Sequence, residues 1–185
     1  MLNSWVVMPT CLPTVLRRCH ACASERFRAN GKFRVNANHK LLDAWLLVLC
    51  TACGDTAKLT VLERMNVRSV RSELLDRMHD NDIGLAAELL QDPVVRRRNR
   101  IALDWANAWR LDTGGSEHLG REVNDAIDVS VRFAARIPVR PVRLIAEGCG
   151  VSRAEVERLI TEGKLVSAIR LGGKLSGDFT FTLKR

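Results

Sequence analysis

The chain has 185 residues, 29 Lys/Arg against 21 Asp/Glu, and a formal net charge of +8. A hydrophobic content of 46% is that of a globular protein and excludes disorder as the default state. The longest uninterrupted apolar run, Ala44–Cys50, falls far short of the ~20 residues a membrane helix needs, so no membrane partner is expected.

The first residues lack a signal-peptide layout. Arg17-Arg18 follows the apolar stretch instead of preceding it, and Pro9 and Pro13 interrupt that stretch. The expected location is therefore the cytoplasm, where paired cysteines favour metal over disulfides. Charge is unevenly spread: residues 1–64 are net +5, residues 65–136 net −1 and residues 137–185 net +4. Two basic ends around a neutral middle favour a polyanionic partner, nucleic acid in the simplest case, although a basic balance also serves solubility alone.

Along the chain, Trp5-Val6-Val7 reads as a short strand ending at Met8-Pro9. Lys32–Ala37 and Leu42–Cys50 read as two more strands, with Asn36, Asn38 and His39 supplying the turn between them. Residues 66–111 read as helical. Val67, Val70, Leu74 and Met78 share one helix face; Asn81-Asp82 ends that helix and caps the next; Asp92-Pro93 opens a third. The spacing of Ile101, Ala102, Trp105 and Trp109 extends that third helix as an apolar stripe. Thr113-Gly114-Gly115-Ser116 is the expected linker.

In the last third, Ile127, Val129, Val131 and Phe133 alternate with polar residues as a half-buried strand. Arg140-Pro141 opens a short helix and Gly148-Cys149-Gly150 turns it. Ser152, with Glu155 three residues on, forms the sequence pattern of a capping box for a second helix that ends at Gly163. Leu165–Arg170 and Phe179–Leu183 read as strands around Gly172-Gly173. The expected fold class is α+β: an N-terminal β-rich zinc ribbon (1–64), a helical middle (65–112), and a C-terminal unit (117–185) of two helices and a short sheet with a helix-turn-helix-like pair.

Chemistry concentrates in four cysteines. Cys19-His20-Ala21-Cys22 and Cys50-Thr51-Ala52-Cys53 are two C-x-x-C knuckles separated by 27 residues. Two knuckles brought together make the four-sulfur tetrahedron of a structural Zn²⁺ site, which Fe would also fit. A catalytic C-x-x-C would need a following helix to lower a thiol pKa, and neither knuckle shows one. His20 and His39 lie near enough to substitute for a ligand, but four cysteines suffice. Cys11 and Cys149 stand alone as ordinary small apolar residues.

The pattern Ala146-x-x-x-Gly150-Val151-Ser152, followed by Val156 and Leu159, fits a DNA-reading helix-turn-helix, an RNA-binding helix pair or a plain packing motif. Arg96, Arg97, Arg98 and Arg100 crowd one helix but point in several directions. With no tyrosine, and with Trp45, Trp105 and Trp109 on apolar faces that read as core, base stacking has only Phe27 and Phe33 as candidates. No Ser-His-Asp set, P-loop, dinucleotide glycine pattern or H-E-x-x-H occurs, so neither an enzyme nor a small-molecule substrate is expected.

Two resemblances follow from particular residues. Ser152-Arg153 opening the second helix, then Ile160-x-x-Gly163-x-Leu165, resembles the RNA-binding module named after ribosomal small-subunit protein four. That resemblance implies RNA-phosphate contacts at Arg143, Arg153, Arg158 and Lys164, with Ser152 counted beside them as a nucleic-acid-binding residue; Leu165-Val166-Ser167 replaces that family's Val-Asn-Gly step. The run Gly31-Lys32-Phe33-Arg34-Val35-Asn36-Ala37-Asn38, with Lys40, Leu42, Asp43, Trp45 and Leu46, resembles an uncharacterised bacterial family, domain of unknown function 1062. Trp5…Pro9 and Arg17-Arg18-Cys19 also fit it, so the resemblance spans nearly the whole chain. It implies the zinc ribbon and a C-terminal helical motif.

In the hairpin, Asn36 and Asn38 are expected to brace the turn and Asp43 to cap or to pair with Arg34 or Lys40. Lys32 and Arg34 belong to a polar run that is either a rigid nucleic-acid-binding surface or part of a purely structural hairpin. The functional expectation is a non-enzymatic, zinc-stabilised RNA-binding protein. A DNA-binding regulator using the same helix pair and a protein-interaction adaptor stand as alternatives.

Overall fold

A computed structural model of the chain describes residues 2–115 and 126–184. Ser116 of the expected linker and the expected start of the last unit at 117 lie outside the described residues. In chain order the elements are β1 (Leu2–Pro9), β2 (Thr14–Leu16), β3 (Arg26–Asn38), β4 (Leu41–Cys50), β5 (Thr56–Asn66), a 3-10 turn (Val67–Ser69), α1 (Ser72–His79), α2 (Ile83–Gln91) and α3 (Pro93–Asn99). Then come β6 (Ala102–Asp104), β7 (Trp109–Asp112), β8 (Ala126–Phe133), α4 (Pro141–Cys149), α5 (Arg153–Thr161), β9 (Leu165–Ser167) and β10 (Phe179–Lys184). The fold is α+β. Among the described residues no helix is long and apolar enough to cross a membrane.

Packing gathers the chain into two compact units, Cys11–Ala108 and Met1–Thr10 with Trp109–Arg185. Residue 64, an expected boundary, lies inside β5, and residue 112 ends β7. The grouping follows strand pairing: β1 leaves its sequence neighbours to pair with β7 and β8.

The Cys11–Ala108 unit is an antiparallel sheet in the order β5-β4-β3-β2-β6. Strict alternation in β4 sends Leu42, Ala44, Leu46, Val48 and Cys50 to one buried face. With Phe27 of β3 and Leu59 of β5 they meet Met78, Leu85, Ala86 and Leu90 from α1 and α2. A bulge between Ala29 and Phe33 bends β3 where Gly31 takes φ +80°. The missing side chain matters there: a Cβ would come within 3.6 Å of the Asn81 carbonyl oxygen and of Ile83 in the α1–α2 turn. The Phe33 N–H donates to Asn81 Oδ1 at 2.8 Å, fastening that turn to the hairpin.

The expected helix starts hold. Asp82 Oδ1 accepts from the Leu85 N–H, and Asp92 Oδ1 from the Val94 N–H. Arg77 joins α1 to α2 through Asp82 at 2.8 Å and Glu88 at 2.9 Å. The Arg77 guanidinium, followed by the Leu85 N–H, holds the Asp82 carboxyl below its ordinary range.

The middle is less helical than its spacing predicts. Val67 sits in the 3-10 turn ahead of α1. α3 stops at Asn99 because Arg100 adopts the left-handed conformation, φ 50°. Ala102 and Trp109 consequently fall in strands β6 and β7, and Ile101 and Trp105 are buried outside any helix. Ending α3 there places the Asn99 amide against the edge strand β5. It accepts the Thr60 N–H at 2.7 Å and donates to the Thr60 carbonyl at 2.9 Å, as a neighbouring strand would. That contact blunts an edge otherwise open to strand addition.

The other unit is a mixed sheet, β7-β1-β8-β10-β9, with β1 and β8 parallel and the remaining pairs antiparallel. Trp5, Val131, Phe179 and Phe181 are buried, and the Trp5 and Phe181 rings meet edge to face at 5.4 Å. Gly148, expected in a turn, lies within α4 directly over Trp5: a Cβ there would stand 2.4 Å from the indole ring. Gly150, φ +67°, ends α4 as expected, and the Ser152 hydroxyl accepts from the Glu155 N–H to start α5. Glu155 does not complete the capping box; its carboxylate holds Arg158 at 2.6 Å. β9 ends at Ser167, three residues short of the expected strand.

Candidate metal centre and the basic sheet face

The four cysteines converge. All four Sγ atoms lie within 4.8 Å of one another, with Cys22–Cys50 at 3.6 Å and Cys19–Cys53 at 3.8 Å. A tetrahedron with metal–sulfur bonds of about 2.3 Å has edges of about 3.8 Å, so these positions fit one tetrahedral ion. Cys19 and Cys50 are buried, and Cys22 and Cys53 face solvent.

The two knuckles are built alike. The Cys19 N–H donates to the Ser24 carbonyl and the Ala23 N–H to the Cys19 carbonyl. In the second knuckle the Cys50 N–H donates to Asp55 and the Gly54 N–H to Cys50. Each turn thus needs a left-handed residue four positions after its first cysteine, and has Ala23 at φ 61° and Gly54 at φ 75°. Thr51 seats the second knuckle on β3 through its N–H and hydroxyl, both donating to the Arg26 carbonyl.

Crowding separates the thiols. The Cys53 N–H, then the Ala52 N–H and the neighbouring sulfurs, bring Cys50 down to about 6 against its desolvation. Cys53 goes up to about 12: the Asp55 N–H favours its thiolate, but the Cys22 sulfur, desolvation, and the Cys50 and Cys19 sulfurs together outweigh it. Four thiolates this close are compatible only with a cation between them, which is the condition a bound divalent metal satisfies. His20 and His39 are not in the cluster. Among the unclustered thiols, Cys11 is exposed and burial pushes Cys149 up to about 11.

Lys32 and Arg34 stand exposed on the solvent side of β3, facing away from the packed helices. Arg26 and Arg28 share that side, so an alternating series Arg26-x-Arg28-x-x-x-Lys32-x-Arg34 runs along one strand face. Arg26 pairs with Asp104 at 2.8 Å. Among the described residues, Arg28, Lys32 and Arg34 have no acidic partner. Cross-strand register sets Trp45 beside Arg34, Leu49 beside Arg28, and Lys58 beside Leu47. Lys58 Nζ lies 5.2 Å over the Trp45 ring. Arg28, Trp45 and Lys58 were not among the expected contacts; the alternation of cations in β3 was the sequence signal for Arg28 alone, while Trp45, expected in the core, is half-buried on this outer face. Phe27 is core and carries no base, while Asp43 accepts the Arg64 N–H instead of pairing with Arg34 or Lys40.

The helix-pair cations are more committed. Arg158 binds Glu155 and, more loosely, Glu162; Lys164 binds Glu162 at 3.0 Å. Arg143 lies 5.2 Å over the Trp109 ring. Ser152 is spent as the α5 cap, and Arg153 is exposed at the first position of that helix. Arg143, Ser152 and Arg153 line an open cleft of about 410 Å³ at the α4–α5 turn, with Ala146 and Val151 as its apolar part.

Fold and site together define an α+β protein with four cysteines gathered closely enough to hold one metal ion. Residues 35–170 match the family described as Protein of unknown function (DUF1062), and the chain belongs to that family. The match contains the second knuckle and begins after the first, so it is narrower than the resemblance read along the sequence. No curated protein and no solved structure matches the chain.

Proposed function

We propose that the chain is a non-enzymatic RNA-binding protein whose Cys19, Cys22, Cys50 and Cys53 hold a structural Zn²⁺. The observation that carries this reading is the row Arg28, Lys32 and Arg34: three exposed cations, without acidic partners among the described residues, along one face of the hairpin that the metal would pin. A structural ion clamps the open end of that hairpin, where Cys22 precedes β3 and Cys50 closes β4, so the row is held before any partner arrives and little ordering is needed on binding. All four sulfurs are used as ligands, which leaves no open coordination position for a substrate.

The α4–α5 pair is a weaker phosphate contact. α5 and its C-cap carry Glu155, Glu157 and Glu162 against Arg153 and Arg158, and the cations there are largely held by those acids. The same balance disfavours α5 as a DNA-reading helix, since such a helix lies among phosphates. Arg143 and Arg153 at the cleft remain the helix pair's best contacts.

The test is binding of fluorescein-labelled RNA to the Zn²⁺-loaded protein by anisotropy at low and moderate salt, alongside metal analysis. One Zn²⁺ per chain and an affinity that falls steeply with salt are expected. No binding at low salt would overturn the reading, and protein purified with iron in the four-cysteine site would overturn the zinc assignment.

A further inference from the structure

We infer that the RNA engaged is single-stranded and lies across the outer face of the Cys11–Ala108 sheet, with bases over Trp45 and phosphates against Arg28, Lys32 and Arg34; the inference rests on the RNA-binding reading above. One face of this sheet is filled by α1 and α2, which pack on Leu42, Leu46 and Leu59. The opposite face carries Trp45, Leu47 and Leu49 from β4, all half-buried and none packed into that core. Register fixes the layout. Arg34, Trp45 and Thr60 form one row across three strands, and Arg28, Leu49 and Thr56 form another. A cationic margin along β3 therefore borders an apolar floor along β4, with Lys58 on the far side.

The layout matches one form of RNA and not the other. A duplex offers phosphates and buries its base faces, so the apolar floor would gain nothing from it. A single strand offers both a charged backbone and unstacked bases, the two chemistries the face presents side by side. Lys58 covers the Trp45 ring in the free protein but is exposed on a long flexible arm. Stacking of a base is worth more than an exposed cation–π contact, so the ring exchanges Lys58 for a base and releases the ammonium to a phosphate.

The experiment compares a labelled 12-nucleotide single strand with a hairpin duplex of equal charge, both titrated into Zn²⁺-loaded protein. The single strand is expected to bind about tenfold more tightly than the duplex and to quench tryptophan fluorescence. Trp45→Phe, which keeps an aromatic floor, should retain affinity within about threefold and lose most of the quench. Equal affinity for both forms, or a full quench in Trp45→Phe, would overturn the single-strand inference while leaving RNA binding intact. Failure of both RNAs to bind would overturn the two readings together.

Discussion

The likeness of the two knuckles supplies a quantitative prediction. Both turns demand a left-handed residue four positions after the first cysteine, and only the second has glycine there. In Gly54→Ala a new Cβ would meet nothing within 4 Å, so the cost is confined to the backbone. An L-residue forced into this region loses about 1–2 kcal/mol, of which alanine's smaller unfolded-state freedom returns about 0.4–1 kcal/mol, leaving a net loss of about 1 kcal/mol. Because metal binding and knuckle ordering are one equilibrium, that becomes a roughly fivefold loss of Zn²⁺ affinity. The first knuckle already carries this strain at Ala23, φ 61°. Ala23→Gly relieves it, but glycine's larger unfolded-state freedom returns about 0.4–1 kcal/mol, leaving a gain of up to about 1 kcal/mol. Competition against a chromophoric chelator, with urea midpoints of the loaded protein, measures both variants. A Gly54→Ala affinity equal to wild type would refute the reasoning, as would a loss in Ala23→Gly.

Three other outcomes follow from single contacts. Gly148→Ala drives a methyl into the Trp5 indole and should destabilise its unit by about 1–3 kcal/mol in urea unfolding, with no effect on metal content. Ser152→Ala removes the α5 cap and should cost about 1 kcal/mol of stability; if the hydroxyl is only a cap, RNA affinity stays at the wild-type level in the same preparation. Asp82 has a folded pKa below its ordinary 3.8, so its contribution is fully present above about pH 4 and is lost as pH falls through the lower folded value. The acid decline of the urea midpoint should therefore flatten in Asp82→Asn, and an unchanged acid limb would show that the Arg77 contact adds nothing.

What could be read from the sequence was local. Alternation in Leu42–Cys50, the caps at Asp82, Asp92 and Ser152, and the spacing of the knuckles all report forces acting within a few residues. What escaped depended on distant partners. The apolar spacing of Ile101, Ala102, Trp105 and Trp109 satisfies a helix period, yet Arg100 turns left-handed, Asn99 bonds across to Thr60, and Ala102 pairs with Leu16. Tertiary pairing overrides the period there. Gly148 is read as a turn glycine until Trp5, far away in sequence, is seen to need the space.

At the candidate site the four cysteines were legible because C-x-x-C fixes donor type and spacing together. The cationic face was legible only in part. Lys32 and Arg34 stood within the family-like run, but the roles of Arg28, Trp45 and Lys58 emerge from register across β3, β4 and β5. Conversely, basic residues counted on the helix pair lose weight once Glu155 and Glu162 are found holding Arg158 and Lys164.

The central claim is that the metal-pinned face of β3 binds the RNA backbone. Its most direct test is the salt dependence of single-stranded RNA affinity in wild type and in Arg28→Gln/Lys32→Gln/Arg34→Gln, both loaded with Zn²⁺. Each phosphate contact on a single strand contributes about 0.7 to the slope of log affinity against log salt, so loss of three should reduce its magnitude by about 2. An unchanged slope in a folded, metal-loaded triple variant would contradict the account.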